Sequence, residues 1–101
     1  MACNRTRICG RIIDKGSLRH TPAGVAVLRF LLAHRSEQQS GQSRRRVECL
    51  IPAMAFEALA ETIARWPRDA QVVCEGYLTR KSRTEPQLVL HVQTIELTDE
   101  R

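Results

Sequence analysis

Apolar and polar residues alternate along most of the chain, and the period changes once. In residues 5–13, RTRICGRII, Ile8, Gly10 and Ile12 alternate with Arg7, Cys9 and Arg11. A period of two predicts a half-buried strand. Gly10 inside it marks a bulge or a sharp bend. Residues 15–24 contain Thr21-Pro22-Ala23-Gly24 and predict turns. A second strand is predicted over 25–35, with Leu28, Phe30 and Leu32 on one face and Arg29, Leu31 and Arg35 on the other. The polar stretch SEQQSGQS, 36–43, predicts a loop. A third strand follows over 44–51, with Val47, Cys49 and Ile51 together and Arg46 and Glu48 opposite; Pro52 is expected to end it.

Over 53–66, AMAFEALAETIARW, the spacing of Phe56, Leu59, Ala60 and Ile63 becomes helical. Alanine is plentiful there and glycine absent, and Pro67 closes the segment. A fourth strand is predicted over 70–80, with Val72, Cys74 and Leu78 on one side, Gly76 between them, and Glu75 and Tyr77 opposite. The charged turn Lys81–Pro86 leads to a fifth strand over 87–97. Its alternation, Leu88, Leu90, Val92, slips to Ile95 and Leu97, which predicts a bulge. The order β-β-β-α-β-β predicts an all-β protein: a five-stranded OB-fold barrel with one short helix between strands 3 and 4. Gly10 and Gly76 suit strands that bend to close a small barrel. The 101 residues fit a single domain spanning 1–101.

Composition narrows the function. Sixteen Lys and Arg face eleven Asp and Glu, for a net charge of +5 and a pI near 9.6. Fourteen of the sixteen are arginine, whose planar fork fits phosphate and stacks on bases. Charge alone does not separate nucleic-acid binding from a solvated basic surface. No apolar run of about 18 residues predicts a membrane span. MACNRTRICG has no apolar stretch suited to a signal peptide, so a cytoplasmic protein is expected. Cys3, Cys9, Cys49 and Cys74 show no C-x-x-C or zinc-finger spacing and are expected to be reduced structural thiols. No metal or cofactor is expected. His20, His34 and His91 are scattered and lack a paired carboxylate or nucleophile motif, so catalysis is not expected; His34 and His91 are expected to make ordinary hydrogen bonds.

VLRFLLAHRS (27–36), VECLIPA (47–53), VVCEGYLTRKSR (72–83) and LVLHVQTIEL (88–97) resemble the PriB family of primosomal replication proteins and its parent, the bacterial single-stranded-DNA-binding (SSB) proteins. The resemblance runs from about residue 5 to 98. It implies a homodimer that binds single-stranded DNA during replication restart, with PriA helicase, DnaT and SSB as partners. The helix at 53–66 looks more like the parent family, and the lack of an acidic tail after residue 97 more like PriB.

Three basic sets are candidates for the DNA: Arg19 and His20; Arg35 with Arg44, Arg45 and Arg46; and Arg80, Lys81 and Arg83. A hairpin sets Arg35 beside Arg44–Arg46, and the third set lies on a loop that binds ligands in OB-folds. Of the aromatics, Phe30 and Phe56 are expected in the core, Trp66 at the helix end, and Tyr77 as the candidate for base stacking. The resembled families often place an aromatic near position 48, where this chain has the phosphate-repelling Glu48. An electrostatic grip with little stacking is therefore expected. The rival readings are a protein-docking adaptor, able to pair through strand one with Arg7 and Arg11 on its outer side, or a general single-strand binding protein of the SSB type with weak DNA contact.

Overall fold

A computed structural model describes residues 2–98. Its strands are β1 (Thr6–Lys15), β2 (Arg19–His20), β3 (Ala26–Ser40), β4 (Ser43–Phe56), β5 (Gln71–Arg80) and β6 (Leu88–Leu97), and helix α1 (Glu57–Ala64) joins β4 to β5. The sheet runs β1-β5-β6-β4-β3-β2, and β1 also pairs with β3. That second pairing closes β1-β5-β6-β4-β3 into a five-stranded barrel with a helix after its third long strand, an OB-fold. The two-residue β2 was not expected; it pairs with the start of β3, Arg19 opposite Val27 and His20 opposite Ala26.

The alternating residues fill the barrel as the pattern predicts. Ile12, Leu28, Leu32, Val72, Cys74 and Leu90 are almost fully buried, with Phe30 beside them. Each large apolar side chain removed from water contributes about 1.5–3 kcal/mol. The slip in the last strand is a bulge: Glu75 faces Thr94 but Gly76 faces Val92, so Gln93 is the extra residue. Both mid-strand glycines mark close backbone approach. A Cβ on Gly10 would meet the Ala33 carbonyl at 2.7 Å, and one on Gly76 would overlap the His91 carbonyl.

Three boundaries differ from expectation. Residues 36–40 and 43 are strand, not loop, and only Gly41 and Gln42 turn. β3 and β4 pair without a break from Val27 opposite Phe56 to Ser40 opposite Ser43. Pairing of β1 with β3 reaches only to Arg11 opposite Ala33, and pairing of β4 with β6 begins only at Ala53. Beyond those points the two strands form a free ribbon, hereafter the arm. Its tip is exposed, and residues 36–43 show no apolar alternation to read. Pro52 does not end β4. It pairs with Leu31, and the other edge of β4 is still unpaired there, where a missing N–H costs little.

The helix starts at Glu57, four residues later than its sequence suggests. Ala53, Met54 and Ala55 are buried strand residues, so sheet pairing outweighs alanine's helix preference. α1 buries Ala60 and Ile63 against the barrel, with Trp66 packed against the same core. Lys15 Nζ secures its end, donating to the carbonyls of Ile63 (3.2 Å), Ala64 (3.1 Å) and Trp66 (2.5 Å). No helix among the described residues is long and apolar enough to cross a membrane.

Candidate nucleic-acid interface

The arm carries four of the candidate cations. Opposite partners in an antiparallel ladder share a face, and successive residues alternate faces. Arg35 faces Glu48, Glu37 faces Arg46 and Gln39 faces Arg44, so Arg35, Arg44 and Arg46 share one face with two carboxylates. Arg45, opposite Gln38, lies on the other face. Two of the cations are engaged: Arg44 with Glu37 at 2.7 Å and Arg35 with Glu48 at 3.8 Å. Arg45 and Arg46 have no such partner among the described residues. The expected set Arg44–Arg46 is therefore divided, with Arg44 held by an acid and Arg45 and Arg46 in no ion pair among the described residues. Glu37 was the missed residue, and only the register across the hairpin reveals it.

The second cluster stands beside the arm. β6 runs parallel to β4, with Leu90 opposite Ala53. The segment leading into β6 therefore lies at the same end of the barrel as the arm. It holds Lys81 and Arg83, while Arg80 ends β5 and donates to the Arg83 carbonyl at 2.6 Å. Arg80 thus braces the loop, and Lys81 and Arg83 form no ion pair among the described residues.

Arg19 and His20 stand apart from both. They extend the sheet at the far end of β3. Arg19 is on the outward phase with Val27 and Phe56, at the opposite end of that face from the arm. One fold face therefore carries Arg19 with Arg35, Arg44 and Arg46 but does not bring them together.

The aromatic residues differ most from expectation. Tyr77 does point outwards, but against another ring: its centroid is 4.6 Å from that of His91, with planes 15° apart. Phe56 is not in the core. It is half-buried and stacks on the other side of His91, at 4.8 Å and 22°. His91 was expected to make ordinary hydrogen bonds and instead sits between two rings. The outward register of β4, β5 and β6 was the missing information. His34 does bond as expected, its Nδ1 to the Cys9 carbonyl at 2.7 Å and its Nε2 to Ser36 Oγ at 2.8 Å, tying the arm's base to β1.

The remaining chemistry is spare. Cys3, Cys9 and Cys49 are exposed and Cys74 is buried, and none forms a disulfide. Burial pushes the Cys74 thiol up to about 12. Among the described residues no group of His, Cys, Asp or Glu is arranged to hold a metal ion. An open cleft of about 570 Å³ at the arm's base is lined by Cys9, His34, Arg35, Glu48, Cys49 and Leu50, among others.

The chain was compared with known proteins. Residues 4–94 match a family described as "Another single-strand binding protein family". Replication restart protein PriB of Nitrosomonas europaea is 40% identical over 90 residues, 89% of this chain and 83% of that protein. The structure of PriB from Ralstonia solanacearum superposes with a TM-score of 0.87 at 29% identity, over 95% of this chain and 98% of that one. A deletion mutant of the single-stranded DNA binding protein from Thermus aquaticus shares the fold, with a TM-score of 0.78 at 18% identity over 98% of this chain and 52% of that one. These families are of binding proteins, not enzymes. With a family match over nearly its whole length and a relative at 40% identity, the chain belongs to the single-strand binding protein family and, within it, to the PriB replication restart proteins.

Proposed function

We propose that this chain binds single-stranded DNA in replication restart, in the cytoplasm, through the arm and the 81–87 loop. The observation that carries the reading is the group Arg45, Arg46, Lys81 and Arg83. These cations form no ion pair among the described residues, and the strand directions put the 81–87 loop at the same end of the barrel as the arm. Cations kept in water without a partner suit a polyanion. Arg35 and Arg44 join them when phosphate displaces Glu48 and Glu37. The resemblance to PriB adds PriA helicase, DnaT and SSB as partners, and a homodimer as the working form.

The test is a salt titration with labelled oligo-dT, read by fluorescence anisotropy. On single strands log K falls with log salt by about 0.7 per phosphate neutralised, so five or six engaged cations give a slope of roughly −3 to −4. Changing Arg44, Arg45 and Arg46 together to Ala should weaken binding and flatten that slope, with little change in melting temperature because all three are exposed and outside the buried core. A flat response in the native chain counts against the mechanism, and an unchanged slope in the triple variant removes the arm from the site.

A second reading, an adaptor between proteins, draws on the acids paired with Arg35 and Arg44 and on the arm's open strand edges. No oligo-dT binding up to high concentration would favour it.

A further inference from the structure

A barrel has two ends, and only one of these is closed. β4 runs from the arm to α1, so the arm and the helix lie at opposite ends. At the helix end Ala60, Ile63 and Trp66 pack against the core. The end from which the arm and the 81–87 loop project has no helix across it among the described residues. There the interior face of the sheet runs out into water.

The register shows how. Phe30, Ala53, Leu90 and Leu78 form one interior row across β3, β4, β6 and β5. The first three are buried, but Leu78 is 37% exposed. One step towards the arm on the same face, Leu32 pairs with Ile51 and Leu88 with Arg80. Leu32 is buried, Ile51 half-buried and Leu88 56% exposed. Further out come His34 opposite Cys49 and Ser36 opposite Val47, with Cys49 exposed and Val47 half-buried. The core's apolar face therefore continues past the core. Apolar surface gathered in one place and rimmed by polar groups marks a docking site.

The charge on this inner face has one sign. Arg45, opposite Gln38, and Arg80, opposite Leu88, belong to it. The loop after Arg80 adds Lys81 and Arg83 against a single acid, Glu85. Glu37, Glu48, Glu75 and Glu96 all take outer positions on their strands. The apolar residues decide which polyanion the face suits. A single nucleic-acid strand gains from flat rings on which bases stack. Leu78, Leu88, Ile51 and Val47 offer no ring, and aliphatic surface suits the bulky apolar anchors of a polypeptide.

We propose that this inner face at the arm end of the barrel docks an acidic segment of a partner protein. The segment's bulky apolar side chains rest on Leu78, Leu88 and Ile51, and its carboxylates meet Arg45, Lys81 and Arg83. Those cations suit either polyanion, whereas the leucines serve only the peptide. The docking face therefore stands or falls apart from the DNA reading.

The test uses two fluorescein-labelled peptides of equal charge, four repeats of Glu-Glu-Leu and four of Glu-Glu-Ser, read by anisotropy on the full chain. Burial of leucine anchors should make the native protein bind the leucine peptide about tenfold or more tighter than the serine peptide. Leu78→Ser with Leu88→Ser should lose most of that preference and leave oligo-dT affinity unchanged. The native chain gives a second readout, which holds even where the double variant fails to fold. The leucine peptide should slow alkylation of Cys49, on the inner face, and not of Cys9, on the outer one. Equal binding or no binding of the two peptides, an undiminished preference in the folded double variant, or unaltered alkylation of Cys49 would overturn the proposal. Weaker oligo-dT binding by the folded variant would put the leucines in the DNA site, and a lower mass in sedimentation would make the face an interface between copies. Either result also overturns it. Failure of the native chain to bind oligo-dT would overturn the DNA reading alone.

Discussion

Glu37 and Glu48 hold two of the arm's arginines in exposed ion pairs. Side chains this open to water gain about 0–1 kcal/mol from such pairs, so the acids do little for stability. Their effect falls on binding, since each must be displaced before its arginine meets a phosphate. Glu37→Gln with Glu48→Gln should tighten oligo-dT binding severalfold at low salt and steepen the salt slope by about 0.7 for each cation released. An anisotropy series across salt concentration checks both, and thermal melting should show little change. Cys74 offers a second residue-scale expectation. Its folded thiol is raised from 9.0 to about 12 by burial, so the native state holds its proton more tightly than the unfolded chain. The associated stability is complete below pH 9 and is lost as pH rises from 9 towards 12. Under native conditions a thiol reagent should modify Cys3, Cys9 and Cys49 quickly and Cys74 only on unfolding.

At the scale of elements, α1 depends on a residue far from it in sequence. Its last carbonyls receive no basic residue from its own final turn, and Lys15 of β1 supplies the donors. Lys15→Met keeps the apolar stem and removes three hydrogen bonds to half-buried carbonyls. The loss should be about 1–3 kcal/mol, seen as a lower melting temperature with faster amide exchange in α1 and unchanged DNA affinity. The arm obeys a different logic. Its strands are held by each other, by the Gly41–Gln42 turn and by the His34 bonds and Ile51 at its base, with none of residues 36–50 in the buried core. Gly41 at φ 62° takes the first turn position that a two-residue hairpin of this kind reserves for glycine.

At the scale of the molecule, a second copy has a place to dock. β1 pairs with β5 from Thr6, but its ladder with β3 reaches only as far back as Arg11, so over Thr6–Ile8 no described strand pairs with its other edge, and at Cys9 only the His34 ring meets it. Two such edges can join antiparallel across a two-fold axis. Arg7 and Arg11, expected on the outer side of that strand, form ion pairs with Glu75 at 3.0 Å and Asp69 at 2.8 Å within the same chain. They therefore leave the backbone edge, not their charges, as the means of pairing. Sedimentation equilibrium should give twice the 11.5 kDa of one chain, and a proline at Cys9 should return it to the monomer mass.

Residues that alternate because one face is buried were legible from the start. Leu28, Phe30 and Leu32, then Val72 and Cys74, then Leu90 and Val92 named the barrel's interior, and the phase slip after Val92 named its bulge. Burial leaves a period, and a period survives in the sequence. Where neither face is buried no period exists, so Ser36–Ser40 read as loop although pairing makes it strand. Alanine-rich 53–55 shows the converse, a local helix preference overruled by partners distant in sequence. The candidate site divides the same way. Its cations were visible as residue types, because charge needs no neighbour to be recognised. Which arginines face acids, and that Phe56, His91 and Tyr77 form one stack, depended on the register between β3 and β4 and among β4, β6 and β5. Register is a property of strands brought together, and only the closed barrel decided it.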